Sequence, residues 1–193
     1  MTDEGLLERA VEGDGTAFAL LYQRHRDLVF RFSYRLLQSR ESAEEITQDC
    51  FLSLIKAPER FNADRRTSLR TYLCAAARNL AFKRLRHVGS EGSIDDVSER
   101  MQTTFAQEPL QQLLDAEVSE AVRTAIGELP PLQREALILF EYEELSLAEI
   151  AEIASADIGT VKSRLHRARQ RLRILLAPYF ENRTDKDVER CCI

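Results

Sequence analysis

Glycine and proline are scarce in this 193-residue chain, at seven and five residues. Alternating runs of β-branched residues, the mark of a half-buried strand, are few as well. These shortages disfavour a sheet-built fold and leave an all-α one. No apolar run is long enough to span a bilayer, and no signal peptide opens the chain. A cytoplasmic protein without membrane insertion is therefore expected. With three histidines and no carboxylate–metal or nucleophile constellation, there is little for an enzyme to work with. The four cysteines lack zinc-ligand spacing. Cys50 and Cys74 fall among apolar residues and read as core thiols of a reducing compartment. Cys191 and Cys192 end a polar tail, and Arg190 occupies the place where a prenylation box needs its cysteine. No metal and no cofactor is expected.

The formal net charge is −5, which on its own argues against a nucleic-acid binder. Two stretches nevertheless lack acids altogether. One, from Arg65 to His87, carries Arg65, Arg66, Arg70, Arg78, Lys83, Arg84 and Arg86. The other, from Lys162 to Arg173, carries Lys162, Arg164, Arg167, Arg169, Arg171 and Arg173. Between them Asp95, Asp96, Glu99, Glu108 and Asp115 face a lone Arg100. Segregation of this kind fits weak binding to free DNA and strong binding inside an assembly.

Helical periodicity organises the rest. A short helix carries Leu6, Leu7, Ala10 and Val11, and Gly13-Asp14-Gly15 breaks it. Thr16 is placed to cap a longer helix with Phe18, Leu21, Tyr22, Val29, Phe32 and Leu36 on one face. Ser42 with Glu45 three residues on predicts the start of a third helix. A loop from about Pro58 to Ser68 precedes a fourth, from about Leu69 to His87. From Val88 to Glu108 periodicity is lost and Gly, Ser and acids accumulate, as in a linker. It returns with Leu110, Leu113, Leu114, Val118, Ala121, Val122, Ala125 and Ile126. Pro130-Pro131 separates that helix from one holding Leu137, Ile138 and Phe140. The expected organisation is two small helical domains, residues 1–87 and 109–178, joined by a flexible acidic linker, 88–108. Residues 179–193 have no apolar face and are expected to be a disordered tail. Each half is short, so each core is limited.

The most informative stretch is LSLAEIAEIASADIGTVKSRLHRARQRLRILL, Leu145 to Leu176. Ser146 and Glu149 have capping-box spacing, and Leu147, Ile150, Ala151 and Ala154 follow at helical intervals. Ser155 to Gly159 interrupts them. Gly159 can take angles a bulky residue resists, and Thr160 is a good cap for the next helix. There Val161, Leu165, Ala168, Leu172 and Leu175 form a buried stripe, while basic residues carry the other faces. Like charges four apart weaken a helix slightly, so the density asks for an anionic partner, and helix, turn and helix match a helix-turn-helix. The start of a recognition helix meets base edges; here it offers Lys162, Ser163, His166 and Arg167, with Arg167 able to bond guanine through two donors. Arg169, Arg171 and Arg173 lie later and suit phosphates.

With these residues in view, the chain resembles the extracytoplasmic-function group of bacterial RNA polymerase sigma factors, over about Leu6 to Leu176. The second half carries Leu129-Pro130, Arg134, Leu145-Ser146, Glu149-Ile150-Ala151 and Gly159 to Arg169. The first carries AEEITQDCFLSL, Ala43 to Leu54, and SLRTYLCAAARNLAFKRLR, Ser68 to Arg86. The resemblance implies a promoter-specificity subunit whose partners are core RNA polymerase (clamp and flap), promoter DNA and an anti-sigma factor. It implies that the first domain binds the clamp and the −10 element and the second binds the flap and the −35 element.

Physically, Ile46, Cys50 and Leu54 can face a core, leaving Glu45, Gln48, Asp49 and Leu52 on the opposite face for the polymerase. For the −10 element the resemblance implies Asn62, Arg65, Arg66, Thr67, Ser68, Arg70, Arg78, Asn79, Lys83, Arg84 and Arg86. Opened DNA there needs phosphate contacts and a place for an unstacked base. Tyr72 is expected to support the loop from the core, and Asn79 to cap or brace it. For the −35 element the set is Thr160, Lys162, Ser163, Arg164, His166, Arg167, Arg169 and Arg171. Ser155 stands where the family usually has Gly and Ala156 where it has a larger apolar residue, which loosens the turn; Ala75 and Lys83 also depart from the common pattern. The main rival is a stand-alone LuxR-like regulator, disfavoured because a sensor domain has no need of the basic block from Arg65 to Arg86. A thiol-switched helical adaptor using Cys191 and Cys192 lacks any redox spacing.

Overall fold

A computed structural model describes residues 1–61, 67–90 and 109–190, with side chains over 1–61, 67–86 and 118–179. The described residues form eight α-helices and no strand: α1 Asp3–Val11, α2 Gly15–Leu37, α3 Arg40–Lys56, α4 Leu69–Ser90, α5 Pro109–Gly127, α6 Pro131–Leu137, α7 Leu147–Ala154 and α8 Ile158–Arg190. A 3-10 turn, Pro58–Arg60, follows α3, and a π-helical turn, Ile138–Tyr142, follows α6. Residues 91–108, nearly all of the expected linker, and Asn62, Arg65 and Arg66 of the expected −10 set lie outside the described residues. None of the described helices is long and apolar enough to cross a membrane.

In the first half α2 is the central strut, touching α1, α3 and α4. Its apolar face is buried through Leu21, Leu28, Val29, Phe32 and Leu36. From α3 come Ile46, Cys50, Phe51 and Leu54, and from α4 Leu69, Leu73, Cys74, Ala77 and Ala81. Phe51 meets Tyr22 edge-on at 4.9 Å, a preferred aromatic geometry. Burial pushes the Cys50 and Cys74 thiols up to about 12, as expected of core thiols.

Three helices start on caps other than those expected. Asp14, not Thr16, caps α2, accepting from the Thr16 and Ala17 N–H groups at 2.9 and 3.1 Å. Ser39, not Ser42, caps α3 and accepts from the Ser42 N–H at 3.2 Å. The third is Asp157, at the start of α8. In each case the true cap is itself a favoured capping residue two or three positions upstream, so both candidates were chemically valid. The α8 backbone also stays helical through Pro178 to Arg190, where no regular structure was expected. Backbone ladder bonds need no apolar face, so the missing amphipathicity did not end the helix.

The second half packs α5, α6 and α7 against α8. A small cluster of Ile126, Leu129, Leu137 and Ala168 lies between α5, α6 and α8. The two limited cores expected from the sequence are not separate. One apolar cluster runs from Leu6 in α1 through Cys74 in α4 to Ile138, Leu139, Ile150 and Leu165 in the second half, so the halves abut directly.

Candidate nucleic-acid interface

The helix-turn-helix is built as its capping chemistry demands. The Ser146 side chain accepts from the Glu149 N–H at 3.3 Å, and the Glu149 carboxylate accepts from the Ser146 N–H at 2.9 Å. These bonds hold the Glu149 carboxyl below its usual range. Helix α7 ends on Ser155, in the left-handed region with φ 48°. Asp157 then caps α8, accepting from the Thr160 N–H at 2.8 Å and the Thr160 hydroxyl at 2.6 Å. Thr160 therefore donates to the cap rather than being it, and Asp157 is held below the usual carboxylate range by those two bonds. The residue with unusual backbone angles is Ser155, not Gly159. Glycine at 159 meets a different need: an added Cβ would stand 3.0 Å from the Asp157 Oδ1, so its absence leaves the cap room.

Beyond the cap, Val161, Leu165 and Ala168 are buried. Lys162, Ser163, His166, Arg167 and Arg171 are exposed on the outer side of α8, with Thr160 and Arg164 half-buried. Arg169 is also exposed, but it is engaged by Glu141 at 2.6 Å and lies 5.3 Å over the Phe140 ring. The first turns of α8 thus present a cationic, hydrogen-bonding surface from a rigid, capped base, the geometry needed to enter a DNA groove.

On α3, Glu45, Gln48, Asp49 and Leu52 all face solvent opposite the buried Ile46, Cys50 and Leu54, and Leu52 is 45% exposed. This is an acidic surface with an apolar edge. Glu45, however, reaches Arg84 of α4 at 2.6 Å, so one residue expected at the polymerase and one expected at DNA are paired with each other.

The remaining −10 residues line α4 and its approach. Ser68, Asn79, Lys83 and Arg86 are exposed. The Ser68 hydroxyl accepts from the Thr71 N–H at 3.1 Å and so caps α4. Asn79 lines a shallow cleft with Arg78, Phe82 and Arg86. Tyr72 packs edge-on against Phe61 at 5.5 Å, a supporting position, and burial raises its phenol's pKa. Arg70, Arg78 and Thr67 are engaged by the second half: Arg70 donates to the Glu143 carbonyl, Arg78 pairs with the Glu135 carboxylate and Thr67 donates to the Glu152 carboxylate. Sequence reasoning assigned no role to Glu135 or Glu143; both are buried, and an acid in a helical run gave no sign of it. Among the described residues no group of three or more His, Cys, Asp or Glu could hold a metal.

Known proteins share this architecture. Residues 21–91 match the family model of sigma-70 region 2, and residues 119–172 match that of sigma-70 region 4. The chain is 30% identical over 175 residues to the ECF RNA polymerase sigma factor SigW of Bacillus subtilis, covering 86% of this chain and 92% of that protein. It is 35% identical over 170 residues to the ECF RNA polymerase sigma factor SigC of Mycobacterium tuberculosis, covering 84% and 85%. Among solved structures, the sigma factor RpoE of Bartonella quintana, in complex with the anti-sigma factor NepR, superposes with a TM-score of 0.64 at 26% identity over 79% of this chain and 91% of that one. CnrH, in complex with the cytosolic domain of CnrY, shares the fold with a TM-score of 0.65 at 22% identity, over 91% and 97%. Both sigma regions lie in one chain and in order, which does not favour a stand-alone LuxR-like regulator. The chain belongs to the extracytoplasmic-function RNA polymerase sigma factors, and it is a sigma factor that directs promoter-specific transcription initiation.

Proposed function

We propose how the work is divided along the chain. Residues 1–87 bind core polymerase and the −10 element, 88–108 connect, and 109–178 bind the −35 element. The clamp docks on Glu45, Gln48, Asp49 and Leu52, and the flap on the second domain. The start of α8 reads −35 base edges with Lys162, Ser163, His166 and Arg167, while Arg164, Arg169 and Arg171 hold phosphates, Arg169 after release from Glu141. Asn62, Arg65, Arg66, Thr67, Ser68, Arg70, Arg78, Asn79, Lys83, Arg84 and Arg86 engage the opened −10 strand. Such a protein acts in the cytoplasm and makes no covalent step of its own. The anti-sigma complex of the Bartonella relative supports a partner of that kind here.

The observation that carries this reading is the outer side of α8: an exposed row of donors on a helix whose inner stripe, Val161, Leu165 and Ala168, is fully anchored. Binding to a selected −35 duplex should fall steeply with salt, because phosphate contacts release counterions. Arg167→Ala should weaken that binding by roughly 1–3 kcal/mol, the worth of a good bidentate base contact. Unchanged affinity in a fluorescence anisotropy titration would remove Arg167 from the reading surface.

A further inference from the structure

The contact between the halves is chemically selective. Glu143, 2% exposed, stands 3.2 Å from Arg35 and 3.6 Å from Arg31, both on α2. Its neighbour Tyr142 carries the Arg35 guanidinium 4.3 Å over its ring. The Glu143 carbonyl accepts from Arg70, Glu135 pairs with Arg78 and Glu152 accepts from Thr67. Three acids from three successive elements of the second half (α6, the turn after the π-helix, and α7) therefore sit on α2, α4 and the approach to α4. Arg70, Arg78 and Thr67 are members of the set proposed for the opened −10 strand. The cationic side of α8 is left outside this contact, with Lys162, Ser163, His166 and Arg167 all exposed.

We propose that the free chain holds itself closed, with Glu135, Glu143 and Glu152 occupying the −10 strand's anchor points while the −35 surface stays open. The carboxylates and the Glu143 carbonyl supply the acceptors that DNA phosphates would otherwise offer to the same guanidinium and hydroxyl donors. The two ligands then behave unequally. A −35 duplex binds the closed chain without disturbing it, whereas a −10 strand binds only the open fraction, and its apparent affinity is reduced by that fraction. Opening leaves the buried acids without their cations, so it needs a partner that pulls the halves apart, and core polymerase, contacting both, is that partner. The inference rests on the −10 assignment made above.

The test uses the full chain and the variant Glu135→Gln/Glu143→Gln, which keeps shape and removes charge. Two labelled probes are titrated: a −35 duplex, and a mixed-sequence single strand of about 12 nucleotides, within the span of common single-strand sites. Small-angle X-ray scattering follows closure. The expected result is a larger radius of gyration for the variant, single-strand binding tightened by about an order of magnitude, and duplex binding unchanged. Arg35→Ala loosens the contact from the other side and should act the same way, which guards against a folding defect confined to the second half. Expansion without tighter single-strand binding overturns the inference, as does a wild-type chain that is already extended. Run-off transcription with core polymerase separates this failure from that of the functional reading. If the variants still initiate, the closed state alone is refuted; if the wild-type chain does not initiate, the −10 assignment beneath it fails.

Discussion

Arg134→Ala should be among the most damaging single substitutions in the chain, although Arg134 has no place in either DNA-binding set. Its guanidinium donates to the Leu36 carbonyl at 2.7 Å, the Leu129 carbonyl at 3.1 Å and the Gly127 carbonyl. Two of those acceptors lie at the end of α5 and just beyond it, and the third lies near the end of α2 in the other half. Helix ends leave carbonyls without ladder partners, and here one planar fork serves both helices. A hydrogen bond to a charged group contributes roughly 1.5–3 kcal/mol. Water recovers part of this when the half-buried side chain is removed, so the loss should be about 3–4 kcal/mol against a total of roughly 5–15 kcal/mol for a folded domain. Arg134→Lys keeps the charge but not the fork and should recover less than half. Urea unfolding followed by circular dichroism measures both variants. A loss below about 1 kcal/mol, or full rescue by lysine, would refute the reasoning.

The remaining predictions concern the turn, the caps, the thiols and the polymerase face. Ser155 sits in the left-handed region, which costs a non-glycine residue roughly 1–2 kcal/mol. Ser155→Gly should thus stabilise by about 0.5–1 kcal/mol after glycine's extra unfolded-state entropy, read as a raised Tm; a lowered Tm contradicts it. Ser146→Ala should cost about 1 kcal/mol at neutral pH. Because Glu149 is held below its ordinary pKa by Ser146, that benefit is present above the carboxylate range and lost as pH falls through the lowered value, so the two proteins should converge in acid; a constant gap would contradict the linkage. The thiols at about 12 work in the other sense. Cys50 and Cys74 should resist iodoacetamide in the folded chain and react after denaturation, and stability should fall as pH rises from about 9 towards 12; labelling of either in the native state by mass spectrometry would refute this. Asp49→Arg should weaken association with core polymerase while leaving the thermal melt unchanged, since Asp49 is exposed; a normal pull-down would remove α3 from the docking face.

Local chemistry was legible in the sequence and long-range pairing was not. The capping box at Ser146 and Glu149 and the buried stripe of α8 were readable because each is a relation between residues a few positions apart. The start of α3 was misplaced because Ser39 and Ser42 are equally good caps, and the choice depends on where Ala43 and Ile46 meet the core. The outward face of α3 followed from helical periodicity, but the Arg84–Glu45 pair across α3 and α4 did not. The contacts of Arg78 with Glu135 and of Arg35 with Glu143 span 57 and 108 positions. Surface-type residues leave no periodic trace of a partner that distant. The merging of two expected cores into one has the same origin: Ile138, Leu139 and Ile150 read as the interior of a small domain, and their periodicity is the same whether they face their own helices or the first half as well.

Run-off transcription from a promoter library with purified core polymerase tests the central claim most directly. The account predicts that adding the chain produces specific transcripts from a subset of promoters that share two boxes at a fixed spacing, and that Arg167→Ala shifts or abolishes the preference at the −35 box. Transcripts no different from those of core polymerase alone would contradict it.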